Sequence, residues 1–72
     1  MNEQDLNKLF PIADDVMQSI FPTLEKEQPD YYEGIIAILV KDLLTADLAA
    51  MTDAEIKAQM AANLDTFRKI LA

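Results

Sequence analysis

Carboxylates are the reactive groups this chain carries in number: Asp14 beside Asp15, Glu25 and Glu27, Asp30 with Glu33, then Asp42, Asp47, Asp53 and Glu55. Paired acids run glycoside hydrolysis or aspartic-protease chemistry when a rigid cleft drives their pKa values apart. The spacing here builds no such pair. Asp14 and Asp15 are neighbours, and at about 100° per helical residue they point to different sides. A chain of 72 residues also has little volume from which to carve a cleft. The acids read as solvated helix surface.

The residue types that are missing narrow the chemistry further. There is no histidine and no cysteine, which removes the commonest general acid/base, the Ser-His and Cys-His nucleophile pairs, and the usual transition-metal ligands. Di-iron carboxylate bundles need Glu-x-x-His pairs, and calcium loops need alternating acids followed by glycine. The nearest stretch, Asp47 to Glu55, has no glycine and is too short. No catalytic residue, metal or cofactor is expected, and no small-molecule substrate is evident. Acyl carrier proteins are also small acidic helical domains, but their attachment serine sits in Asp-Ser-Leu. The only serine here, Ser19, lies in Met-Gln-Ser-Ile, so the likeness ends at composition.

The formal net charge is −7, from 13 acidic against 6 basic residues. That balance opposes binding to phosphate backbones, which takes clustered Lys and Arg, and to anionic membrane surfaces. The longest apolar run, Ile35 to Val40, is far short of the roughly 20 residues that span a bilayer. The opening Met-Asn-Glu-Gln-Asp has neither the basic nor the apolar region of a secretory signal. A cytoplasmic location and one domain over residues 1–72 are expected.

The elements that must position these groups are helices. Leu6, Leu9, Phe10, Ala13, Val16, Met17 and Ile20 recur at three- and four-residue steps, which predicts one helix from Glu3 to Ile20. Pro11 falls on its polar side, with Asn7, Asp14 and Gln18, so the helix either kinks there or breaks into two collinear pieces. Pro22 to Pro29 is a polar connection with room for one helical turn after Thr23. Asp30 with Glu33 resembles a capping box and predicts a second helix from Tyr31 to about Thr45. Its apolar residues cover about two thirds of the circumference, which marks a buried helix. The β-branched run within it could suit a strand, but nothing else in the chain offers it a partner. Thr45 to Met51 either extends this helix or forms a short turn of its own. Thr52-Asp53-Ala54-Glu55 is a full capping box. It opens a third helix that carries Ile56, Met60, Leu64, Phe67, Ile70 and Leu71 on one stripe.

These elements predict an all-α fold: a small three-helix bundle with the second helix central, or four helices if residues 45–51 add a piece. The stripes of the first and third helices are too narrow to cover the second completely. The uncovered apolar surface predicts a non-enzymatic protein–protein interaction module that binds either a second copy of itself or another protein. Tyr31 and Tyr32 are candidate contact residues, because tyrosine joins area to a polar tip. Ile38 lies at the edge of the apolar arc, and Met51 lies outside both main stripes beside a turn, where a flexible thioether adapts to a partner. The alternative is an acidic inhibitor, of immunity-protein, antitoxin or DNA-mimic type, that neutralises a basic protein.

Overall fold

The computed structural model describes residues 3–71, and of Leu71 the backbone alone. The described residues form helices and turns with no strand: α1 (Glu3–Ile20), α2 (Leu24–Glu27), α3 (Pro29–Lys41), a 3-10 turn (Leu48–Ala50) and α4 (Asp53–Leu71).

α1 is continuous through Pro11. The proline sits on the exposed side of the helix, so the carbonyl it leaves without a helical donor, that of Asn7, faces water. α2 is the single turn expected after Thr23, and it runs almost directly into α3, with Gln28 donating its N–H to Leu24 and accepting from Tyr32.

α3 differs from expectation at both ends. It starts at Pro29, with Gln28 as the cap residue and no side-chain capping bond, because proline's fixed φ suits the first helical position. A cap at Gln28 would need its partner acid at position 31, which is Tyr31, so Asp30 and Glu33 form no box. At the other end α3 stops at Lys41 rather than near Thr45. Leu43, Leu44 and Ala46 bond back to Val40, Lys41 and Leu43 respectively, a three-residue spacing that tightens the chain and turns Leu43 into the core. The stretch from Thr45 to Met51 is therefore not a helical extension, and it contains the separate 3-10 turn.

α4 begins as its capping box requires. The Glu55 N–H donates to the Thr52 hydroxyl at 3.1 Å and the Thr52 N–H donates to the Glu55 carboxylate at 2.9 Å. These bonds, the one from the backbone foremost, hold the Glu55 carboxyl below its ordinary pKa.

Four juxtapositions define the topology. Lys8 pairs with Asp53 at 3.7 Å near one end, and the Arg68 guanidinium lies 5.5 Å over the Phe21 ring near the other, so α4 runs parallel to α1. Asp14 meets Tyr32, while Asp5 and Leu44 line a common recess, so α3 runs antiparallel to both. α3 packs against α1, α2 and α4. Leu9, Met17, Leu39, Ile56, Met60 and Leu64 form the fully buried centre, and Tyr32, Ile35, Ile36 and Val40 pack around it.

Two residues on the anticipated stripes lie outside this core. Ile70 is 77% exposed, because the last turn of α4 reaches beyond the end of α1 and has no helix to cover it. Phe10 is 44% exposed, at the edge of the α1–α3 contact. The Leu71 side chain falls outside the described residues. No helix among them is long and apolar enough to cross a membrane.

The two capping threonines differ in a measurable way. Thr52→Ala removes a capping bond and should cost about 1 kcal/mol, lowering Tm by about 4–8 °C in a domain of this size. Thr23, which makes no side-chain cap bond, should tolerate alanine with a shift within about 0.5 kcal/mol. Thermal melts followed by circular dichroism check both.

Candidate functional site

The most chemically distinctive surface is an open groove of about 400 Å³ where α1, α2 and α3 meet, lined by Phe10, Asp14, Glu25, Tyr32, Glu33 and Ile36. Its composition follows from helix geometry. Phe10 and Asp14 are one turn apart on α1, Tyr32 and Ile36 are one turn apart on α3, and residues so spaced lie one above the other. Glu25 comes from α2, which the tight Phe21–Leu24 turn lays across the end of the groove. Three of the lining side chains are apolar and three carry the carboxylates of an acidic rim. No basic side chain lines it.

A short hydrogen-bonded chain ties the three helices together beneath this rim. The Tyr32 hydroxyl donates to Asp14, and the Gln18 amide donates to the Tyr32 oxygen at 3.2 Å and to Glu25 at 3.1 Å. Tyr32 itself is only 2% exposed, so its ring belongs to the core while its hydroxyl reaches the groove. Burial, and then the bond to Asp14, push the Tyr32 phenol from 10.0 to about 12, against a smaller lowering by Gln18. It therefore keeps its proton at neutral pH and acts as a donor that holds the Asp14 carboxylate in place.

The four residues singled out from sequence do not form one surface. Tyr32 is buried as described. Tyr31, 46% exposed, and Ile38, 38% exposed, lie on the outer side of α3, away from the groove. Met51 follows the 3-10 turn at the far end of the bundle and is partly buried against the core. Phe10, Asp14, Gln18, Glu25 and Ile36 were missed as site residues. Phe10 and Ile36 read as core, and Asp14 and Gln18 read as the polar back of α1. The only available signal was that Asp14 and Gln18 share a face one turn apart, which is common on any surface helix. Among the described residues no group of three or more acids is placed to hold a metal ion.

The raised phenol makes stability depend on alkaline pH. A group whose folded pKa lies above its unfolded value contributes stability that is fully present below the unfolded pKa and lost as pH rises through the folded one. Wild type should therefore lose stability between pH 10 and about 12 more steeply than Tyr32→Phe. In a Tyr31→Phe background, phenolate absorbance should appear only near the upper end of that range. Urea denaturation across the interval, with phenolate absorbance read in parallel, tests both. Equal pH slopes for wild type and Tyr32→Phe would contradict the assignment.

Compared with protein-family models, with curated proteins and with solved structures, the chain matches none.

Proposed function

We propose that this chain is a non-enzymatic interaction module whose α1–α2–α3 groove docks a basic segment of another protein. One observation carries the reading: the groove sets three apolar side chains, Phe10, Tyr32 and Ile36, beside three carboxylates, Asp14, Glu25 and Glu33. Lysine and arginine are amphipathic in the matching sense. Their aliphatic stems lie along apolar surface while the charged head reaches a carboxylate. The net charge of −7 steers a cationic partner towards the molecule and repels polyanions.

Several features support binding rather than turnover. The chain has no histidine or cysteine, and the one hydroxyl within the groove sits far above neutral pKa, where it transfers protons poorly at physiological pH. The Asp14 carboxylate is engaged by Tyr32. Of the two readings of the acidic surface, ordinary solubility and recognition of a basic protein, the groove favours the second. It gathers three carboxylates beside apolar side chains along which a Lys or Arg stem can lie.

A labelled amphipathic helical peptide bearing Lys and Arg is the probe, with a Glu-substituted copy as control. Wild type should bind the basic peptide and not the acidic one. The double variant Glu25→Lys, Glu33→Lys should bind it at least about tenfold more weakly, a difference of about 1.4 kcal/mol. Reversing two acids outside the groove, Asp53→Lys with Asp65→Lys, should cost much less. Equal losses in the two double variants would reduce the effect to bulk charge and defeat the groove assignment.

A further inference from the structure

We infer that the outer face of α3 is a self-complementary surface on which a second copy of this chain docks antiparallel, with Ile38 of each copy seated over Gly34 of the other. This face is distinct from the groove. At about 100° per residue, Gly34 and Ile36 lie on nearly opposite sides of α3.

Gly34 is the starting point. It is the only glycine in the chain and sits in the middle of a helix, where glycine is the poorest residue after proline. Nothing inside the protomer requires it. Its φ is not positive, and a Cβ added there would meet no atom within 4 Å. The position is an open notch in the helix surface. Beside it stand Tyr31 and Ile38, two of the large apolar side chains the fold leaves exposed.

The charges around the notch identify the occupant. With about 100° per residue, Asp30, Gly34 and Lys41 fall along one line of the helix, and Tyr31, Ile38 and Asp42 along the adjacent one. Under a two-fold axis at the height of Ile36, perpendicular to the helix, each line meets the same line of the partner in reverse order. Asp30 then faces Lys41 and Tyr31 faces Asp42, while Gly34 and Ile38, on adjacent lines at matching heights, meet side by side across the centre, so that each Ile38 side chain leans over the other copy's Gly34. Each contact occurs twice, as an isologous interface demands. Opposite charges meet on one line, and a phenol donor meets a carboxylate on the other. Asp30 and Asp42 come to the same height but stand about 120° apart around the helix, which keeps the like charges at opposite edges of the interface. Neither Asp30 nor Lys41 has an ion-pair partner among the described residues, so both are available.

Area sets the strength. A helix of 13 residues is about 20 Å long and about 10 Å across, so one face offers a few hundred Å² per protomer, below the roughly 800 Å² of a standard stable interface. The dimer is therefore of the weak, concentration-dependent class, and it leaves both acidic grooves open.

Sedimentation equilibrium at neutral pH, from about 10 μM to about 1 mM, a span that brackets weak association, is the test. Wild-type mass should rise from 8.1 kDa towards twice that value across the range. Gly34→Gln, a helix-favouring change into open space, should keep the helix content while weakening association at least about tenfold, and Ile38→Glu should do the same. Asp30→Lys and Lys41→Asp should each weaken the dimer, and the double exchange should restore it to within about threefold, because only the two-fold register pairs these positions. A monomer at every concentration would overturn the inference, as would a dimer indifferent to Gly34→Gln. A double exchange no better than its single parents would overturn the register. None of these outcomes depends on the basic peptide, so the groove reading stands or falls separately.

Discussion

A helix apolar over most of its circumference needs neighbours on most of its sides, and a chain of 72 residues can supply α3 with only two long ones. α1 and α4 lie parallel on its inner side, and α2 crosses one end. The covered side holds Tyr32, Ile35, Ile36, Leu39 and Val40. Everything the molecule offers to the outside along α3 follows from this shortage of cover. The outer side keeps Tyr31, Gly34 and Ile38 in solvent, and the seam with α1 leaves Phe10 half exposed. With no cysteine available, stability rests on the packing that remains, which in a domain this small is a modest margin.

The Tyr32 hydroxyl is the polar exception within the buried cluster. A buried hydroxyl without a partner costs more than a satisfied one returns, and here Asp14 and Gln18 satisfy it from α1 while Gln18 also reaches Glu25. This chain fixes the rotation of α1 relative to α3 and holds α2 against them. The same bonds hold the Asp14 and Glu25 carboxylates beside Phe10 and Ile36. One groove acid is thus tied to a core problem, since the Asp14 carboxylate that satisfies the Tyr32 hydroxyl also lines the groove.

What was legible in the sequence was local and periodic. The stripe of α1 located its core residues Leu9, Ala13, Val16 and Met17, and Thr52 with Glu55 located the start of α4 through a reciprocal bond that depends on four consecutive residues. The ends of α3 were harder, because two local rules competed. Asp30 looked like a cap, but Pro29 is suited to the first helical position and displaced it. Ile70 failed for a tertiary reason: periodicity places it on the stripe, but only the relative lengths of α1 and α4 decide whether anything stands opposite. The groove was the least legible part. Asp14 and Tyr32 are 18 residues apart, and no pattern in a single sequence links them until the antiparallel packing of α1 and α3 is known.

Two faces of one helix thus carry distinct chemistry, acidic and concave towards α1 and α2, apolar and flanked by Asp30, Lys41 and Asp42 on the outside. Under the proposed association, α3 is partly uncovered in the single protomer and its outer side is covered only by a second copy. Paramagnetic relaxation from a soluble gadolinium chelate, read amide by amide at low and high protein concentration, addresses this directly. In dilute solution the amides of Tyr31, Gly34 and Ile38 should be strongly relaxed and that of Leu39 weakly. At high concentration the first three should become protected, while those of Glu25 and Lys26 stay accessible. Protection that develops instead on α4, or no change with concentration anywhere on α3, would contradict the account.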